Sequence, residues 1–108
     1  MNFDINEVLA DMLTKIKNNV DENWDQVKDT SNQFLQNKKE RLELLAELRI
    51  SGELSEEKFQ SRLKDEKLVL EAELHAIAVI SKAIAQRATN GAIEVLEKAI
   101  RTAISTIL

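Results

Sequence analysis

Five short polar side chains, Asp21, Asn23, Asp25, Asp29 and Asn32, follow the order of the first, third, fifth, ninth and twelfth positions of a calcium-binding loop. Oxygen ligands at those places wrap a hard cation. The sixth position of such a loop needs glycine for its sharp turn and holds Gln26; the twelfth needs a bidentate Glu and holds Asn32. Trp24 and Val27, interleaved with the acids, continue a helical apolar spacing instead. The run therefore reads as a solvated acidic helix face, and no metal is expected there. His75 is the single histidine, with Glu71 four residues earlier. Carboxylate-bridged metal bundles space Glu and His three apart and use two such copies per site, so His75 reads as an exposed helical histidine. Trp24 has the size to anchor a ligand, but its place in the stripe makes it a core aromatic. No nucleophile has a plausible base beside it and no cysteine is present, so neither an enzyme nor a cofactor is expected.

The elements that carry these residues are helices. The 108 residues include no Pro, Cys or Tyr and only two glycines, Gly52 and Gly91, far too few turn formers for a sheet protein of this size. An all-α single domain over 1–108 is the expectation. Hydrophobic residues make up 44% and charged residues 31%, with a net charge of -4. That is too apolar for disorder and too acidic for a nucleic-acid binder. The run Asp4 to Glu7 is acidic where a signal peptide would be basic, and no apolar run reaches membrane-spanning length, which points to the cytoplasm.

The first helix has a clear start: Asp4 as N-cap, Glu7 three residues on, and Phe3 facing Val8 as a hydrophobic staple. Ile5, Leu9, Met12, Ile16, Val20, Trp24, Val27, Phe34, Leu42, Leu45 and Leu48 then recur at intervals that keep one helical face. Asp29 to Asn32, four polar residues that compete for backbone hydrogen bonds, mark a kink candidate. Gly52 suits the left-handed end of a helix, Ser55 can cap the next, and Leu54 with Phe59 forms a second staple. The segment from Gly52 to Phe59 is similar to the start of SHOCT-type short helical domains, over this run alone, and implies no function. Beyond it the stripe runs from Phe59 to Ile107. Asn90-Gly91 is a second kink candidate, although the polar stripe Lys82, Gln86, Asn90, Glu94, Lys98 passes through it without a phase jump and favours continuity.

The reading is a long antiparallel helical hairpin with arms 4–49 and 55–108, each ~70 Å long. Folded at Gly52, it sets Leu45 against Phe59, Phe34 against Leu70, Trp24 near Ile77 and Ile80, Ile16 near Ala88 and Leu9 near Leu96. Charge agrees with this register, since Met1 to Asp29 holds seven acids against three lysines while the tail from Leu74 is net basic. The stretch from Lys38 to Glu73 is rich in charge and reads as a solvated two-helix tip.

The second arm is apolar around most of its circumference, more than one neighbouring helix can cover. A homodimer closing a four-helix bundle is the expected remedy, with Trp24, Ile77, Ile80, Ile84, Leu96, Ile100 and Ile104 in its core or interface. Function then reads as a non-enzymatic scaffold or protein-interaction module whose charged tip meets a protein partner. The second reading is a lipid-surface protein that lays Leu74 to Leu108 on a membrane, as phasin-like and apolipoprotein-like helical proteins do.

Overall fold

The computed structural model describes residues 3–77 and 80–107. Four α-helices follow in order: α1 (Ile5–Val20), α2 (Trp24–Ile50), α3 (Glu56–His75) and α4 (Lys82–Ile107). A single tight helical turn, Asp21–Asn23, joins α1 to α2. The all-α class holds, and no strand occurs among the described residues.

Local signals account for the helix ends. The Asp4 carboxylate accepts from the backbone N–H of Asn6 at 3.0 Å and of Glu7 at 3.4 Å, satisfying two donors that the first turn leaves free. α2 ends at Ile50; Gly52, two residues on, takes the left-handed conformation with φ 85°, and Leu54 N–H reaches back to Leu48 C=O at 3.0 Å. Ser55 then caps α3 by accepting from Lys58 N–H at 3.2 Å, with Leu54 and Phe59 both buried beneath the turn. α4 opens on a cap that the sequence reading missed: Ser81 accepts from Ile84 N–H at 3.2 Å, with Ile80 buried just before it.

The hairpin about Gly52 is present, and its register is close to the expected one. Arg41 pairs with Glu66 and Arg49 with Glu56 across α2 and α3. Farther out, Gly91 lies against Lys15 and Asn19, so α1 and α4 are antiparallel neighbours as well. The hairpin is, however, folded double. Its arms do not run ~70 Å; the longest dimension of the molecule is 43 Å, with 23 and 20 Å across. Asp21 takes φ 49° and turns α1 back onto α2, and the segment between His75 and Lys82 turns α4 back onto α3. Gln60 meets Glu97 and Glu56 meets Arg101, so α4 runs antiparallel to α3 and ends beside the Gly52 turn. The result is a closed ring of four alternating helices within one chain.

The helices therefore break at 21–23 and between the end of α3 at His75 and the start of α4 at Lys82, instead of at 29–32 or 90–91. α2 runs unbroken through Asp29 to Asn32 because Ser31 is small enough to sit fully buried on its inner side. α4 runs unbroken through Asn90-Gly91, where the missing side chain lets α1 come close. One core runs the length of the bundle, with Ile16, Val27, Leu35, Leu70, Leu74, Leu96 and Ile100 all at 1% exposure or less. At ~25 cal/mol per Å² of apolar surface, each such side chain contributes on the order of 1.5–3 kcal/mol.

This packing changes the reading of the second arm. Ile80, Leu96 and Ile100 are buried within the single chain, and Trp24, Ile77, Ile84 and Ile104 are half-buried against the same core. The broad apolar face of α4 is covered by α1 on one side and by α2 and α3 on the others. A second copy is not required to cover it. The stretch from Lys38 to Glu73 is likewise no free two-helix tip, because Ile100, Arg101 and Ile104 of α4 pack beside Arg49, Glu56 and Phe59. Closing the bundle inside one chain needs only two short reversals, and it avoids the loss of translational freedom that association carries.

Candidate interaction surface

Exposed large apolar side chains among the described residues are confined to one half of the bundle. Leu44 on α2 is 54% exposed, and Leu68 and Val69 on α3 are 53% and 42% exposed. Helical geometry explains why they point outward. Glu66 and Leu70 face the interior, and Leu68 is two residues from each, a rotation of ~200°. On α2, Leu42, Leu45 and Ala46 take the inner positions and leave Leu44 outside.

The ion pair between Arg41 Nε and Glu66 Oε1, at 2.6 Å, fixes how the two helices line up. Leu44 is three residues beyond Arg41 and Leu68 two beyond Glu66 on antiparallel helices, which separates them by ~7–8 Å along the bundle axis. Val69 helps to line a hollow of about 320 Å³ on the α2–α3 seam, with Phe34, Lys38 and Glu73 around it. The Lys38 ammonium lies 5.9 Å from the centre of the Phe34 ring, a cation–π arrangement at the edge of the hollow. Apolar anchors ringed by charge on a rigid helical pair are what a protein–protein contact uses.

Beneath this face Glu66 is only 4% exposed. Its Oε1 is held by Arg41, and its Oε2 has no hydrogen-bond partner. The Ser31 and Thr89 hydroxyls are buried without partners as well. None of these three residues lines a described cavity.

A larger groove of about 500 Å³ runs between α1 and α4. Phe3, Val8, Val95 and Ala99 line it together with the charged residues Asp4, Glu7, Asp11, Lys15 and Lys98. Its apolar side chains are already buried or half-buried in the core, so they offer a ligand less than Leu44, Leu68 and Val69 do.

A polar network ties three helices together beside the Gly52 turn. Arg49 Nε and Nη2 both reach Glu56 Oε2 at 3.0 Å; the Gln60 amide donates to Glu56 Oε1 at 2.9 Å and also to Glu97. Arg101 of α4 closes the network, 3.1 Å from Glu97 and 3.6 Å from Glu56. The Gln60 hydrogen bond foremost holds the Glu56 carboxyl below the ordinary glutamate range; burial opposes it, and the guanidinium groups of Arg49 and then Arg101 add to the lowering. Exposure of this cluster makes it a fastening for α4 rather than a reactive centre.

The residues weighed as metal ligands do not converge. Asp25, Asp29 and Asn32 lie on the exposed side of α2, so a loop wrapping a cation is not formed, and His75 is exposed at the end of α3. No group of three His, Asp or Glu side chains among the described residues is placed to hold a metal ion. No described helix is long and apolar enough to cross a membrane.

Sequence reasoning missed the outward apolar residues, although a signal was there. Leu68-Val69-Leu70 and Leu44-Leu45 are consecutive apolar residues on helices that each bury one narrow stripe, so at least one of each run must face away from it. The chain matches no family model, no curated protein and no solved structure.

Proposed function

We propose that this protein is a non-catalytic interaction module, a four-helix scaffold that presents the outer face of α2 and α3 to a protein partner. The observation that carries the reading is that, among the described residues, the exposed large apolar side chains are Leu44, Leu68 and Val69, all on α2 and α3. The surrounding charges, Lys38, Arg41, Lys64, Lys67 and Glu73, provide a polar rim that sets orientation. Rigid support is built in, since Leu42, Leu45 and Leu70 lock the same two helices from beneath. Scattered exposed apolar residues are ordinary on protein surfaces; their clustering on one helical pair is what favours a docking role.

A photo-crosslinking amino acid placed singly at Leu44, Leu68 and Val69, with Glu7 and Lys98 as control positions on α1 and α4, tests this in extract of the native cells. The expected result is one adduct shared by positions 44, 68 and 69, absent from positions 7 and 98, and lost when Lys replaces a neighbouring anchor. Adducts of equal yield at all five positions, or at none, would remove the proposal.

A further inference from the structure

We infer that the two reversals, at 21–23 and between α3 and α4, are the places where two copies of this chain exchange halves, each opening into the long hairpin and closing a four-helix bundle with the other. This goes beyond the proposed docking face, because it uses only the inner surfaces.

Four observations carry it. Both reversals lie at the same end of the bundle: Val20, Asp21, Glu22 and Asn23 line one hollow with Ile84 and Arg87. The α1–α2 reversal is held by Asp21 at φ 49°, a backbone region that a residue with a side chain rarely adopts. The apolar stripe nevertheless crosses that point at unbroken helical spacing, through Ile16, Val20, Trp24 and Val27, and the stretch 76–81 contains neither Gly nor Pro to forbid a helix. Finally, the α1–α4 pair and the α2–α3 pair share one continuous antiparallel register, seen in Gly91 beside Lys15 at one end and Arg49 with Glu56 at the other. Straightening both hinges leaves each pair intact.

In the opened chain the α1–α4 half of one copy packs on the α2–α3 half of its partner. Contacts within each pair stay inside one chain, those between the pairs are remade between copies, and the contacts of Gln60 with Glu97 and of Glu56 with Arg101 form across the interface. The exchanged dimer gains continuous helix at 21–23 and loses the unusual Asp21 conformation; the monomer gains by not associating. Short, strained hinges with interchangeable contacts are the condition under which exchange competes with the closed form.

The test refolds the purified protein at millimolar and at low micromolar chain concentration, then reads mass by light scattering. Labels at Asp11→Cys and Gln33→Cys report the fold-back by pulsed spin resonance, in a mixture with excess unlabelled protein. The chain has no other cysteine, and both positions are exposed on facing helices. Expected is a dimer after concentrated refolding in which the intrachain label distance grows toward ~33 Å, the length of 22 helical residues. Asp21→Gly accepts the positive φ and weakens a continuous helix, so it should weaken the dimer by about tenfold or more; Asp21→Ala should strengthen it by a similar factor. Leu68→Lys should leave dimerisation unchanged. A dimer with the monomer's label distance, a reversed order of the Asp21 variants, or monomer in every sample would overturn the inference.

Discussion

Gly91 of α4 stands directly against Asn19 of α1: a Cβ added there would lie 3.3 Å from Asn19 Nδ2 and 3.7 Å from Lys15 Cδ. Asn19 is itself engaged, donating from Nδ2 to Lys15 C=O at 2.8 Å. The obstacle is the end of a half-buried side chain and not backbone, so it can give by a few tenths of an ångström. Helix propensity favours Ala over Gly by ~1 kcal/mol in a helix interior. Gly91→Ala should therefore stabilise the protein by about 0.5 kcal/mol in chemical denaturation, whereas Gly91→Leu should destabilise it by ~1–3 kcal/mol through overpacking. A loss of stability with Ala would mean that α1 and α4 cannot move apart at all.

Leu96 and Leu68 are the same residue type on opposite sides of the fold, one fully buried and one half-exposed. Leu96→Ala should cost ~2–5 kcal/mol because the surrounding helices cannot collapse fully into the vacated space. Leu68→Ala should stay within ~0.5 kcal/mol of the parent. Urea unfolding followed by circular dichroism separates the two; comparable losses would mean that Leu68 is covered in solution.

Glu66 is buried with its single ion-pair partner, Arg41, lying mostly in solvent. Arg41→Ala strands a buried carboxylate and should destabilise by ~1–3 kcal/mol. Adding Glu66→Leu to that variant should recover the loss, since an apolar residue needs no partner at this depth. Failure of the double variant to recover would show that Glu66 meets a need of its own.

The Glu56 carboxyl is held below the ordinary glutamate range, by its hydrogen bond from Gln60 above all. A carboxyl depressed in the folded state contributes stability above its unfolded value, and that contribution is lost as pH falls through the folded value. Glu56→Gln should therefore flatten the stability profile from about pH 5 downward and change it little near neutrality in salt. Thermal unfolding from pH 7 to pH 3 reads this; identical acid slopes would exclude Glu56 as a contributor.

Much of this fold is legible in the residues. Asp4, Gly52 and Ser55 mark helix ends by local chemistry that no distant contact can override, and the pairing of the two halves follows from where apolar residues fall. The reversal at Asp21 is not legible, because the apolar spacing from Val20 to Val27 suits a continuous helix as well as a broken one. Ser81 after buried Ile80 was a usable signal for the other reversal, but without Glu three residues on it lacks the fuller capping pattern. Reading the helices as continuous left α4 with uncovered apolar surface and made a second copy seem necessary. The outward apolar residues were obscured for the same reason, since Leu44, Leu68 and Val69 become distinctive only once the remaining apolar residues have been placed inside.

Short connections also bear on how the molecule assembles. α1 with α2, α2 with α3, and α3 with α4 are each joined by a handful of residues, so three of the four seams in the ring close with little loss of chain entropy. Local topologies of this kind fold in microseconds to milliseconds. The fourth seam, α1 against α4, must bring together segments from opposite ends of the sequence. Nascent helices and the central turn can form before it docks, which makes that seam the natural rate-limiting closure and the first to open when the protein is forced apart.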